Sequence, residues 1–514
     1  MPLDESGLGP PMTSPRFSVV LPTRNRPETL RYALQTCLQQ DFDDYEVLVC
    51  DNGDGRAARD VVLEAASTRI RYLEPTVPLA MSANWERALS QARGEFITVL
   101  GDDDGLMPFA LREADRLLRD HGTQALVWQR GIYTWPTIGI DGEANLLRLP
   151  LAREVVALDG REQIAKAIRF EAGYDTLPMV YSAFVHRDLV ERHRRIAGRV
   201  FLNVYPDVYS AFGLGYLAGR YLSTSVPMSI AGLSHASNGV ATLMNASNNV
   251  VATDFTRLNE QFGYFRHPKV PDRMALGPVH VIDCFLHAKD ALFPDDDSLT
   301  LDRKDFTRRC LAAVFDATPE RRDEARQAIR ASLEDAPDLL AWFDAEAPDF
   351  PPARMFSFQP PRLGFDGVML SIRTDSARVR NIADAVALSC ELLGMEDGTL
   401  INYDLMSWSK LHESVAALTL SEERARRDEA AAQRLLTDAG ADVERATSQL
   451  RDAERAVEEL RRQLASERNA AADHAARLQH QLGEALLASS LRYVPRRLLG
   501  KLLRRPPGRT LPNE

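Results

Sequence analysis

The stretch GEFITVLGDDDGLMPFAL, Gly94 to Leu111, sets an apolar, β-prone run from Phe96 to Leu100 against three consecutive carboxylates bracketed by glycines. Adjacent negative charges repel, so one reading of Asp102, Asp103 and Asp104 is a solvated acidic turn. The other is a cation site, in which bound positive charge offsets the repulsion. The neighbouring sequence decides between them. Upstream, FSVVL (17–21) reads as a strand, PETLRYALQTCLQQ as a helix with Pro27 in its first turn, and YEVLVC as a second strand. The helix RAARDVVLEAAS, the strand IRYL and the helix SANWERALSQAR follow. Downstream of the acids come the helix PFALREADRLLRDHG and the strand ALVWQ. Short apolar strands alternating with helices predict an α/β fold with a mostly parallel sheet covered on both faces.

In such a sheet, ligands bind at the carboxyl ends of the strands. Three loops reach that edge: LPTRNRPETL after the first strand, CDNGDG after the second, and GDDDG. They offer hydroxyl, amide and cationic donors, then an acid with amides, then clustered carboxylates. Donors for phosphate beside carboxylates for a divalent metal form the set needed to hold a nucleoside diphosphate. Oxygen ligands suit Mg²⁺ or Mn²⁺, and no soft ligand is evident.

The ordered series FSVVLPTRNRPETLRYALQTCLQQDFDDYEVLVCDNGD, then ANWERALSQARGEFITVLGDDDGLMP, resembles the N-terminal half of a family 2 glycosyltransferase with the GT-A fold. The resemblance implies that Pro22, Thr23, Arg24 and Asp51 hold the nucleobase and ribose. It also implies that the acidic turn stands for the family's DxD element. By distance from Met107-Pro108, Asp103 is then the metal-binding acid, with Asp102 toward the ribose and Asp104 beside it. The commoner spelling of that element has an acid where Gly101 stands, which leaves the division of labour among the three open. The family often has an asparagine where Glu86 stands, so only Asn84 is carried as a neighbouring candidate. A downstream acid serves as base in the inverting members, and VYPDVYSAF is the best local match. That makes Asp207 the candidate base and Asp175 in GYDTLP its reserve. His235 in LSHASNG is a candidate for the diphosphate or metal.

These residue types suit the chemistry. Sugar transfer from a nucleotide leaves a diphosphate with added negative charge, which a divalent cation offsets as it develops. A carboxylate deprotonates the attacking acceptor hydroxyl. The acidic turn is expected to be exposed, so that Asp103→Ala leaves folding intact. Each residue also has a plainer reading: Asp51 or Asp207 as a helix cap, Arg24 and Arg26 as surface charges, His235 as a loop histidine. The implied activity is metal-dependent, inverting transfer from a nucleotide-sugar donor to a saccharide or lipid-linked acceptor, in bacterial surface polysaccharide or glycan synthesis. A non-catalytic scaffold with a degenerate transferase domain is the alternative. A dinucleotide-dependent oxidoreductase is less favoured: Gly53-x-Gly55-x-x-Ala58 mimics its fingerprint, with Glu74 beyond, but follows the second strand and not the first.

Length and composition bound the rest. A chain of 514 residues exceeds what one core usually supports, so several units are expected. A net charge of −11 argues against a general nucleic-acid binder. Five scattered cysteines fit no zinc spacing and, without an apolar signal core, predict reduced thiols in the cytoplasm. The expected organisation is a flexible leader (1–15), a GT-A domain (16–248), a helical add-on (249–415), a coiled coil (416–488) and a basic amphipathic tail (489–514). Val443, Leu450, Val457, Leu464, Ala471 and Leu478 recur every seven residues, with Ala446, Ala453 and Leu460 in the companion position, which predicts self-association. The tail carries seven cations between Arg492 and Arg509 and no acid, with Leu498, Leu499, Leu502 and Leu503 on one helical face. Peripheral contact with the inner face of the membrane is the expectation from that pattern.

Overall fold

The computed structural model describes residues 14–400 apart from 76, 140–142, 236–249, 273, 275, 315–317, 348–362, 366–367, 375–378, 394 and 397–398. Beyond them it describes Glu459, Arg462, Arg477 and Gln481, each helical. The chain divides into two compact units, Met1–Trp408 and Ser409–Glu514. The leader to residue 13, the heptad seam and the basic tail lie outside the described residues.

The first unit begins with β1 (Phe17–Thr23), α1 (Pro27–Leu38), β2 (Tyr45–Asp51), α2 (Ala57–Ala65), β3 (Ile70–Leu73), α3 (Met81–Gln91) and β4 (Phe96–Val99). Each falls within two residues of the range that periodicity predicts. Four strands stand parallel in the order β3-β2-β1-β4, with Thr23 beside Asp51 at their carboxyl ends. Alternate residues face opposite cores. Val20, Leu48 and Cys50 pack toward Trp85 of α3, whereas Val19, Leu21, Val47 and Val49 pack toward Leu30 and Leu34 of α1. Burial on both faces is why β1 and β2 read as continuous apolar runs.

After β4 come β5 (Gly105–Leu106), α4 (Ala110–His121), β6 (Ala125–Trp128), β7 (Gly131–Thr134), β8 (Leu146–Pro150), β9 (Val155–Asp159), α5 (Gly160–Ile168), β10 (Ala183–His186), α6 (Arg187–Ala197), α7 (Pro206–Ala218), β11 (Arg220–Thr224) and β12 (Ser229–Leu233). The first sheet continues β4-β10-β6-β11-β9, with β10 antiparallel to both neighbours and β9 antiparallel to β11. The sheet is therefore parallel through β4 and mixed beyond it. A second sheet, in which β8, β7, β12 and β5 stand in that order, lies outside anything the sequence announced. Its strands are short, and β5 and β7 lack the long apolar runs by which β1 and β2 are recognised. Over 150–245 periodicity gives only mixed helices and loops, whereas β9, β10, β11 and β12 lie there.

Helices α8 (Val250–Gln261), α9 (Gly277–Leu292), α10 (Arg303–Ala312), α11 (Pro319–Ala331) and α12 (Pro337–Glu346) occupy the next segment. The chain then returns as β13 (Gly364–Phe365), β14 (Met369–Arg373), α13 (Ile382–Leu392), β15 (Met395–Glu396) and β16 (Thr399–Leu400). β14 pairs antiparallel with β8, from Met369 opposite Pro150 to Arg373 opposite Leu146. Ile382 and Val386 of α13 enter the same apolar cluster as Leu30 and Leu34 of α1. No break therefore separates 249–400 from the transferase half: the segment supplies an outer layer and completes the second sheet.

α7 carries Asp207 in its first turn. Almost its whole length is buried. A Cβ at Gly213 would stand 2.5 Å from His193 Nε2, so glycine admits that buried imidazole from α6. The result is a rigid mount for the helix's first turn.

Candidate active site

Three loops meet at the carboxyl edge of β1, β2 and β4. Asn25, in left-handed geometry at φ 57°, turns the first loop so that its Oδ1 accepts a hydrogen bond from Asp54 N of the second, 3.2 Å away. Asn52 N donates to Thr23 O at 2.9 Å. The Asn52 amide clamps Leu79, donating to its carbonyl and accepting from its N–H, both at 2.9 Å. Asp51 is buried, accepting from Gly53 N on Oδ1 and from Tyr72 Oη on Oδ2, each at 2.7 Å. Pro22 and Arg24 are half-buried on the same loop as Thr23. Asn84 sits beneath: its amide accepts from Cys50 Sγ at 3.2 Å and braces the end of β2.

The aspartate turn is not exposed. Asp102, Asp103 and Asp104 keep 4%, 5% and 2% of their surfaces, which overturns the expectation of a solvent-facing loop. Consecutive side chains take different partners. Asp102 accepts from Thr23 Oγ1 at 2.7 Å and pairs with Arg26 at 3.1 Å. Asp103 Oδ2 accepts from Ser234 Oγ at 2.7 Å, and no hydrogen bond among the described residues reaches its Oδ1. Asp104 accepts from Gly232 N at 2.7 Å, from Gly101 N at 2.9 Å and from Tyr181 Oη. Burial, together with the adjoining carboxylates, pushes the Asp103 carboxyl well above the usual range, and burial likewise raises Asp104.

Two glycines make this packing feasible. A Cβ at Gly101 would lie 2.6 Å from Asp104 Oδ2, and one at Gly232 would lie 1.8 Å from Asp103 O. Gly101 therefore stands where the commoner spelling has an acid because Asp104 folds back over it. Trp135 Nε1 donates to Asp103 O at 3.2 Å and fixes the turn from the second sheet.

Asp207 lies in the first turn of α7, after Pro206, with Tyr205 as the capping residue. It is thus not the N-cap of that helix. The side chain is half-buried, and desolvation raises its carboxyl above the ordinary value, opposed by the Val208 amide and by the Arg130 cation. Asp175 is exposed on a single 3₁₀ turn, Tyr174–Thr176. His235 is exposed and follows Ser234, the residue that touches Asp103.

Among the described residues, no group of three or more His, Cys, Asp or Glu side chains forms a metal cage. The donor set fits another kind of site. Mg²⁺ is commonly held by one or two carboxylates plus substrate phosphates, with waters completing its shell. Asp103, with one carboxylate oxygen not hydrogen-bonded to the protein and two buried acids beside it, meets that description. Sequence reasoning missed Ser234, Tyr181, Gly232, Trp135, Tyr72 and Arg130. The one available signal was the motif GLSH, read for its histidine when its serine and glycine touch the acids.

Residues 18–145 match the family model "Glycosyl transferase family 2". A stretch of 100 residues is 38% identical to the Campylobacter jejuni GalNAc(5)-diNAcBac-PP-undecaprenol beta-1,3-glucosyltransferase, covering 19% of this chain and 32% of that protein. Another, of 87 residues, is 31% identical to the Escherichia coli UDP-Glc:alpha-D-GlcNAc-diphosphoundecaprenol beta-1,3-glucosyltransferase WfgD, covering 17% and 34%. The matched stretch thus spans about a third of these relatives. Among solved structures, S. aureus TarS 1-349 in complex with UDP-GlcNAc is similar at 16% identity and a TM-score of 0.36, over 64% of this chain and 89% of that one. That likeness is too remote to carry residue roles. The matched segment contains all three loops of the site, so residues 18–145, which match glycosyl transferase family 2, carry the site's acids on a mixed α/β fold.

Proposed function

We propose that the protein is a metal-dependent, inverting glycosyltransferase that moves a sugar from a nucleotide donor to a hydroxyl of a saccharide or lipid-linked acceptor. The observation that carries this reading is the meeting of Thr23, Asp51 and the three buried aspartates at one sheet edge. Both relatives above are named for acceptors carried on undecaprenol diphosphate, which favours that acceptor class here.

Asp51, fixed by Gly53 N and Tyr72, takes the base or ribose in this reading, with Pro22, Thr23 and Arg24 beside it. Asp102, tied to Thr23 and Arg26, lies toward the ribose. Asp103 is the first candidate to hold Mg²⁺ or Mn²⁺, with Asp104 beside it and His235 as the outlying candidate. The ion would supply positive charge opposite the diphosphate. Asp207 accepts the proton of the attacking hydroxyl, and its raised affinity for protons suits a base at near-neutral pH. Asp175 is the reserve for that role.

Self-association through 416–488 and membrane contact through 489–514 extend the proposal. Among the described residues no helix is long and apolar enough to cross a membrane.

The test is release of nucleoside diphosphate from a panel of nucleotide sugars, with and without Mn²⁺, using Asp103→Asn and Asp207→Asn as controls. Release that needs the metal and both acids supports the reading. No release from any donor, with no thermal stabilisation by a nucleoside diphosphate, favours the scaffold alternative.

A further inference from the structure

We infer that Arg130 is a substrate-contacting residue, its guanidinium receiving the diphosphate of the donor on the side facing Asp207. This rests on the function proposed above and adds a residue that no motif marks.

The position follows from topology. β6 ends at Trp128 in the first sheet and β7 begins at Gly131 in the second, so Gln129 and Arg130 form the step between them. Gln129 N is held by Thr224 O at 3.0 Å, which fixes the step. The Arg130 guanidinium lies 4.9 Å from the centre of the Tyr181 ring. That ring stacks on Trp85, 6.4 Å away, and its hydroxyl donates to Asp104. Arg130 is thus mounted on the side chain that also fixes the aspartate turn.

Its hydrogen-bonding state sets it apart. Arg26, the other cation of the turn, is paired with Asp102 at 3.1 Å. Arg130 is half-buried and faces Asp104, Asp175 and Asp207, yet donates no hydrogen bond and makes no close ion pair among the described residues. Stacking occupies one face of a guanidinium and leaves the N–H groups in its plane free, and that fork matches two oxygens of a phosphate. A half-buried cation held by a ring and not by a carboxylate is kept open for an anion. Of the anions a nucleotide-sugar transferase handles, the diphosphate is the one that approaches the aspartate turn, and Arg130 lies on the ring that braces that turn.

The chemistry balances without another reactant. As the bond from the anomeric carbon to the diphosphate oxygen breaks, its electron pair stays on that oxygen, to which Arg130 donates. The acceptor oxygen bonds the carbon, and its proton passes to Asp207. A donor aimed at a leaving oxyanion is typically worth ~10²–10³ in kcat.

The test compares wild type with Arg130→Met and Arg130→Lys in the full chain with Mg²⁺, after thermal unfolding confirms that each folds. UDP, GDP, CDP and dTDP are titrated beside the matching monophosphates, and kcat and KM are measured with the best donor sugar. The expected result is that Arg130→Met weakens diphosphate binding ~10-fold or more, leaves monophosphate binding within about two-fold, and lowers kcat ~10²-fold, with Arg130→Lys recovering part of each. Equal loss for diphosphate and monophosphate, or a kcat within about two-fold of wild type, overturns the assignment. A wild type that binds no nucleoside diphosphate instead brings down the function proposed above, and this inference with it.

Discussion

The site is built by two regions that behave differently. Residues 17–104 supply the groove and the acids through a regular strand-helix alternation, with each functional residue at a strand end. Residues 130–234 supply what holds those acids: Trp135, Tyr181, Gly232 and Ser234 all bond the turn from distant points in the sequence. The first region has its chemistry on the surface of a pattern. The second carries Asp207 in the first turn of a helix and Arg130 on the step between two sheets, and otherwise works through contact. A site of this kind needs both, since three buried carboxylates without bonded partners would take up protons and lose the charge that attracts a cation.

The comparison breaks most readily at the acids. Asp207→Asn is expected to lower kcat by ~10²–10⁴ while donor binding persists, as measured by single-turnover transfer and by titration with nucleotide sugar. Normal transfer would remove Asp207 from the base role. Asp103→Asn is expected to abolish metal-dependent transfer without lowering the melting temperature, because it removes one of several repelling buried charges. In wild type, the rate is expected to fall on the acid side at a pH above the ordinary carboxylate range. Asp207 must be ionised to act, and burial raises its pKa. An acid limb near the ordinary value of 3.8 would contradict that.

The mount of α7 gives the next effect. The imidazole of His193 is fully buried, and desolvation lowers its pKa from 6.5 to about 4. The unfolded chain binds this proton first as pH falls, so stability is full above pH 6.5 and is lost down to about pH 4. At 1.36 kcal/mol per unit, the loss is ~3 kcal/mol from this group, and His193→Phe should blunt it in denaturant titrations. An unchanged pH dependence would show that the imidazole is not held neutral.

Smaller effects sharpen the contrast. Ser234→Ala removes the bond to Asp103 and is expected to weaken metal-supported donor binding by ~10-fold, in the manner of a lost outer-shell partner. No change would mean that the second region only fills space around the turn. Tyr72→Phe removes the hydroxyl from Asp51 and should reduce nucleotide affinity several-fold with folding retained; equal binding would show that Gly53 N alone holds that carboxylate.

β1, β2 and β4 were legible because strands buried on both faces are mostly apolar, and the half-buried edge strand β3 by its place between helices that carry a repeating apolar stripe. Thr23, Asp51 and Asp103 were legible because they sit at the ends of those strands. β7, β8 and β12 were not: no regular strand-helix alternation surrounds them, and β14, which pairs with β8 from more than 200 positions away, has no local mark of its partner. Likewise, the expected boundary after 248 reflected a change of pattern, whereas Met369–Arg373 and Ile382–Leu392 return to the same unit.

The sequence alone determined the α/β order, the three loops and the types of residue they present, since each depends on neighbours within a few turns of chain. Only the tertiary structure decided that the aspartates are buried, that each faces a different partner, and that Gly101 is required beside Asp104. Those properties arise where segments distant in sequence meet, and burial, not composition, sets the charge a carboxylate carries.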